Sequence, residues 1–258
     1  MGPTITERPE RPRTGENDRT APAGTGLLPL APPSRRTLLL GVGTLGAGLA
    51  LGTGTALAER PKLRSGSRGS AVTTLQKRLA ALHYWCGSAD GSFGHLTQQA
   101  VYAIQKAAGL IPDGVVGPKT WGALDRGVQP SRRGASLGFE VNLDRQLLIC
   151  SNHGRIAHIF NTSTGSGERY YSGGRWKTAT TPKGSFAMYS LYSSGWQSGP
   201  LGNMYRPGYY DRGWAIHGST SIPPYPASHG CSRISVAASN FLWSGKGWFV
   251  KGRKVLIY

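Results

Sequence analysis

Acidic side chains are scarce in this chain: 12 Asp and Glu stand against 30 Lys and Arg in 258 residues, a formal net charge of +18. That imbalance points to an anionic partner. Neither a basic helix nor an aromatic RNA-binding motif is present, and the positive charge is scattered through turns, so nucleic acid is not the expected partner. Strongly apolar runs are also missing. The apolar stretch from Leu38 to about Leu57 is broken by Gly41, Gly43, Gly46, Gly48, Gly52 and Gly54, and it falls short of the ~20 strongly apolar residues of a stable membrane span. Cysteine is limited to Cys86, Cys150 and Cys231, an odd number that leaves at least one thiol unpaired within the chain. If Cys231 is the free one, Cys86 and Cys150 are either a disulfide pair or two separate thiols.

The N-terminal region reads as an address. Residues 1–33, rich in Pro, Gly, Arg and Glu and without an apolar period, are expected to be a disordered leader. Ser34-Arg35-Arg36-Thr37-Leu38-Leu39-Leu40 then runs a twin-arginine pair into the Gly/Ala-rich stretch, which closes on the small-x-small site Ala56-Leu57-Ala58. Residues 1–58 are therefore expected to be a twin-arginine-type signal peptide that is removed on export. For an exported chain, the natural counter-charge is an anionic wall polymer or a membrane surface.

Residues 59–126 carry an internal echo. Asp90-Gly91-Ser92-Phe93-Gly94-His95-Leu96-Thr97 recurs as Asp113-Gly114-Val115-Val116-Gly117-Pro118-Lys119-Thr120. Each copy reads as a tight Asp-Gly bend followed by a glycine at a helix entry, with Pro118 suited to a first turn. Val72, Leu75, Leu79 and Leu82, and then Ala100, Val101, Ile104 and Ala108, recur at helical steps, so three short helices around one small core are expected. A core of that size leaves little room for an enzymatic cleft and suits a binding module. These residues, with Leu63-Arg64, Gly66-Ser67, Gln76, Gln105 and Thr120-Trp121, resemble the peptidoglycan-binding domain 1 family. That resemblance implies a wall-binding module. Tyr84, Trp85 and Trp121 are its available aromatics, Trp121 being expected in the core.

Residues 127–137, with Gly127, Pro130 and Gly134, read as a linker. Beyond them the apolar period changes from helical to two: Phe139 to Leu143, Gln146 to Cys150, Ile156 to Phe160, Ser185 to Tyr192, Trp214 to Ile216 and Lys254 to Tyr258. One helix is expected, around 235–242. Residues 138–258 are thus a mainly β domain, a sandwich or barrel.

The chemistry gathers in two short motifs, Ala215-Ile216-His217-Gly218 and Ala227-Ser228-His229-Gly230-Cys231-Ser232-Arg233-Ile234. A thiol is nucleophilic as its thiolate, and a neighbouring imidazole supplies the base near neutral pH. Glycine beside the cysteine lets backbone N–H groups approach a developing oxyanion. Between Glu168 and His217, Asp211 is the only carboxylate. His217, His229 and Cys231 could form a three-ligand zinc set, but no glutamate base lies nearby; no metal or cofactor is expected. His83, His95, His153 and His158 are expected at the surface or in packing.

These motifs, with Thr162-Ser163-Thr164-Gly165 and Thr181-Pro182-Lys183-Gly184-Ser185-Phe186, resemble the YkuD-like L,D-transpeptidase catalytic domain. The resemblance implies Cys231 as nucleophile, His217 as base oriented by the Gly218 carbonyl, and the amides of His229, Gly230 and Cys231 around the oxyanion. Arg233, Ser228, Tyr205 and Trp214 are the expected substrate contacts. Ser232 stands where that family usually carries an apolar residue. The implied reaction attacks a diaminopimelate carbonyl of a tetrapeptide stem, expels D-Ala, and makes a 3→3 cross-link; carbapenems would acylate the same thiol. Trimming by water, zinc hydrolysis and non-catalytic wall binding remain alternatives.

Overall fold

The computed structural model describes residues 60–134, 136–245 and 247–258; the expected signal peptide at 1–58 lies outside them. Three helices come first, α1 (Ser70–Ala81), α2 (His95–Ala107) and α3 (Pro118–Asp125). Val72, Leu75 and Leu79 of α1 pack with Ala100, Val101 and Ile104 of α2 and with Trp121 and Leu124 of α3. The sequence echo has a common physical basis, a buried glutamine at the centre of each turn. Gln76 Nε2 donates to Asp90 Oδ1 (2.9 Å) and Thr97 Oγ1 (3.0 Å), while the Gly91 amide donates back to Gln76 Oε1 (2.9 Å). Gln105 does the same with Asp113 (2.7 Å), Thr120 (3.2 Å) and the Gly114 amide (3.0 Å). The Asp, Gly and Thr of the repeat are therefore the satisfied partners of one buried amide each.

The β region holds β1 (Gly138–Asn142), β2 (Leu147–Asn152), β3 (Arg155–Asn161), β4 (Arg169–Ser172), β5 (Arg175–Thr178), β6 (Gly184–Ala187), β7 (Ser190–Leu191), β8 (Trp196–Gly199), β9 (Gly202–Asp211), β10 (Trp214–Ser219), β11 (Ser232–Ser235) and β12 (Lys254–Ile257). Helix α4 (Val236–Trp243) follows β11, close to where one helix was expected, and Ser235 caps it by accepting from the Ala238 amide. One sheet runs β3-β2-β1-β12-β6 and another β11-β10-β9-β7, with β8 on β9; β4 and β5 form a separate hairpin. Phe139, Val141, Leu148, Phe160, Ile216, Ile234, Phe249 and Val255 fill one apolar core with α4's Leu242.

The two regions are not joined by a loose tether. Leu147 and Ile159 belong to the helical module's core, while Leu148, Cys150 and Phe160 of the same strands face the sandwich core. Strands buried on both faces read as continuous apolar runs, which explains Leu147-Leu148-Ile149-Cys150. The Trp85 amide donates to Ile159 O (3.1 Å), and the Ile159 amide to His83 O (2.8 Å), adding this stretch of the module alongside β3. The expected linker is pinned as well: buried Glu140 accepts from Arg132 Nε (3.2 Å) and from the Arg133 amide (2.7 Å). Uncovering Leu147 and Ile159 would cost ~1.5–3 kcal/mol each.

The structure changes two of these expectations. Cys86 and Cys150 are both free and buried; one lies in the helical core and the other in the sandwich core, so no bridge joins them. The module's aromatics all turn inward. Tyr84 and Trp121 are buried and Trp85 packs on Phe160 and Phe241, which leaves none of the three for stacking on a sugar. Among the histidines, His83, His95 and His153 are exposed, and His158 packs edge-on against Phe241 at 4.8 Å. No helix among the described residues is long and apolar enough to cross a membrane.

Candidate active site

Strands β10 and β11 run parallel with His217 opposite Arg233, and Cys231 immediately precedes β11. The loop between the two strands is shaped by its own polar groups. The buried Ser228 hydroxyl donates to Cys231 O (2.7 Å) and accepts from the Gly230 amide (2.9 Å). Thr181 Oγ1 donates to Gly230 O (2.6 Å) and accepts from the Gly165 amide (2.9 Å). Gly230 itself sits at φ 135°, where a Cβ would lie 2.5 Å from Trp214 Nε1 and 2.7 Å from Thr180 O. Glycine is needed there on both counts.

His217 is buried, and its Nδ1 lies 2.9 Å from Gly218 O. A carbonyl oxygen only accepts, so Nδ1 carries the proton of the neutral ring and Nε2 keeps its lone pair. Burial pushes the imidazole down to about 4, with the Gly218 carbonyl opposing that shift and Arg233 adding to it. The Cys231 thiol is pushed up, first by burial, with a backbone hydrogen bond at Ala215 and the Arg233 charge pulling the other way. Both groups are thus neutral near pH 7. Sγ contacts Gly213 O at 3.6 Å and Met204 Sδ at 4.0 Å, neither being the His217 ring.

The depressed imidazole has a consequence for stability. The unfolded chain's His217 takes up a proton near its ordinary 6.5, while the folded one resists down to about 4. Stability is therefore fully present above pH ~6.5 and falls by roughly 3 kcal/mol toward pH 4 from this group. Urea midpoints measured between these pH values are expected to drop more in the native chain than in His217→Gln; equal drops would remove His217 as the cause.

Cys231 and His217 line one groove of about 570 Å³ with Trp214, Met204, Tyr209 and Tyr170. Its cationic lining is Arg175, Lys177, Arg212 and Arg233, and no carboxylate is among its lining residues. Trp214 is fixed by donating Nε1–H to Thr180 O (2.9 Å). Arg233 donates to Ala227 O (3.2 Å). His229 is exposed and stands edge-on to Tyr170 at 4.8 Å. Among the described residues no group of three His, Cys, Asp or Glu is arranged to hold a metal ion.

Three expected site residues are placed differently. The Gly230 amide is occupied by Ser228, so Gly230 shapes the loop and the Cys231 amide becomes the oxyanion candidate. Ser228 lines the groove, but its hydroxyl is committed to the loop. Tyr205 does not line the groove. It faces Gly218, where a Cβ would meet Tyr205 Cβ at 3.1 Å, and its hydroxyl donates to Asn240 on α4 (3.0 Å). Beyond Gly202 and Asn203 at its start, β9 lines the groove with Met204 and Tyr209. Strict alternation would put Tyr205 and Tyr209 on one face, but Arg206 has φ 49° and the register slips between Ile216 and Gly218. That bulge flips the alternation. The β4–β5 hairpin was also not expected, although Gly173-Gly174, both at positive φ, is the turn signal between its strands.

Two sequence-family models match the chain, a peptidoglycan binding domain at residues 68–124 and the YkuD L,D-transpeptidase catalytic domain at 138–257. The crystal structure of an L,D-transpeptidase from Xylanimonas cellulosilytica is 49% identical with a TM-score of 0.73, covering 78% of this chain and 98% of that one. An N-acetylmuramoyl-L-alanine amidase from Bacillus licheniformis is 48% identical over 64 residues, which is 24% of this chain and 18% of the amidase. The chain thus spans about a fifth of that curated relative.

Proposed function

The chain belongs to the L,D-transpeptidase family, and from that premise we propose that it is an exported cysteine acyl-transferase that cross-links peptidoglycan stems 3→3. The observation that carries the reading is the pair of neutral groups in one groove, a protonated Cys231 thiol and a His217 imidazole whose Nδ1 is tied to Gly218 O. A neutral thiol needs a base, and a neutral imidazole with Nε2 unprotonated is one.

In the first half-reaction Sγ leaves Gly213 O, passes its proton to His217 Nε2 and attacks the carbonyl of the diaminopimelate at position 3 of a tetrapeptide stem. The Cys231 amide supports the oxyanion. The bond to D-Ala breaks, its amine takes the proton from His217, and a thioester remains on Cys231. In the second half-reaction a side-chain amine of a neighbouring stem attacks the thioester, gives up its proton to Nε2, and the thiol is restored. Arg175, Lys177, Arg212 and Arg233 suit the carboxylates of both stems. The helical module would hold the enzyme on the wall, and removal of residues 1–58 would follow export by the twin-arginine route.

The test is direct. Incubation with a soluble disaccharide-tetrapeptide should give a cross-linked dimer and free D-Ala by mass spectrometry. Tripeptide alone would make water the acceptor and the enzyme an L,D-carboxypeptidase. Gly230→Ala is expected to cut D-Ala release about tenfold or more, because the added methyl displaces Trp214 or the loop. A fully active Gly230→Ala would show that the loop tolerates that shift and that its geometry is not critical.

A further inference from the structure

A chain of buried polar groups between α2 and the sandwich takes no part in the chemistry above. Lys106 Nζ donates to Gln146 O (3.0 Å), to Asn161 Oδ1 and to Thr162 O (3.3 Å). All three acceptors are neutral, and burial lowers this ammonium to about 7. A buried ammonium without a carboxylate is costly, so its worth lies in what it holds. About two turns away on α2, Gln99 accepts from Asn161 Nδ2 (2.6 Å), and both side-chain amides donate to Ile222 O (3.3 Å and 3.1 Å). Ile222 lies in the loop that leads from His217 to Cys231.

The same stretch of chain grips that loop farther on, and the β11 strand that follows it. Thr162 Oγ1 donates to Arg233 O (2.8 Å), and Ser163 Oγ to Tyr225 O (2.8 Å). Thr164 O accepts from the Ala227 and Ser228 amides (3.0 Å and 2.9 Å), and Gln146 secures Thr164 through both its amide and its hydroxyl. Residues 161–164 therefore form a splint with α2 on one side and the loop carrying Cys231 on the other.

We propose that α2 of the helical module is a positioning part of the active site: Gln99 and Lys106, through Asn161 and Ile222, set the loop between His217 and Cys231. The module then governs turnover even of substrates too small to engage its own wall-binding surface. The turnover part rests on the acyl-transfer function proposed above; the positioning part does not.

The experiment uses the full chain and three variants, Gln99→Met, Lys106→Met and the milder Gln99→Glu, which keeps the acceptor for Asn161 and loses the donor to Ile222. Three properties are measured: kcat and KM on a soluble disaccharide-tetrapeptide, pelleting with sacculi, and site-resolved alkylation by iodoacetamide. The expected result is a fall in kcat of about tenfold or more with KM within about twofold and pelleting unchanged. Cys231 alkylation should change at least about threefold while buried Cys86 and Cys150 stay protected. Native kcat and native Cys231 alkylation in the variants would overturn the proposal. So would alkylation of Cys86 or Cys150 in all three, which would reduce the cluster to ordinary core packing. If the unaltered chain turns over no stem peptide, the acyl-transfer reading fails, and the Cys231 alkylation rates alone decide the positioning.

Discussion

Cys231→Ala is expected to abolish D-Ala release and cross-linking together, since the thiol is the one nucleophile in the proposed sequence of bonds. The loop should survive the change. Its hydrogen bonds run through the Cys231 carbonyl and through Ser228, Thr181 and Gly230, none of which uses sulfur. The melting temperature should therefore stay within a few degrees, as about 1 kcal/mol or less is at stake. A carbapenem, whose strained ring presents a carbonyl like that of the donor stem, should add once to the native chain, at Cys231, and not at all to the variant. Turnover retained by Cys231→Ala would end the cysteine mechanism.

His217→Ala should slow carbapenem acylation by ~10²-fold or more, the scale of a lost general base. Because burial raises the thiol, the variant depends on the small ionised fraction, and its acylation rate should climb steadily as pH rises through the alkaline range. The native rate should be far flatter, since His217 is already unprotonated well above pH 4. His229→Ala should be milder. That ring is exposed and rests on Tyr170, whereas His217 is buried with Nδ1 fixed. If stopped-flow mass spectrometry gives the opposite order, the base has been assigned to the wrong histidine.

Much of this was legible in the chain itself. Helical steps at Val72, Leu75 and Leu79 and the period-two runs after Phe139 are local signals, and they set the helical and mainly β regions in their observed order. Cys231 and His217 stood out as candidates because few residue types can act as nucleophile and base, and the structure brings both to one groove; the Gly218 carbonyl followed from the family resemblance, and it lies 2.9 Å from His217 Nδ1. Trp214, an expected substrate contact, lines the groove.

The placement of Tyr205, Met204 and Tyr209 was decided by the fold. A single bulge near Arg206 reverses which side chains of β9 face the groove, and its position depends on pairing with β10, far along the chain. The same holds for Gly230, whose amide is spent inside the loop once Ser228 folds back on it. The apparent linker illustrates the difference most clearly. Its composition marks a boundary in the chain, whereas the burial of Leu147 and Ile159 in the helical core makes the two regions one packed body. Residue type and local spacing determine which groups can do chemistry and which segments curl or extend. Which groups meet, which face a side chain takes, and whether a boundary is also a hinge depend on contacts between distant segments, and those are fixed only when apolar faces find their partners in the folded chain.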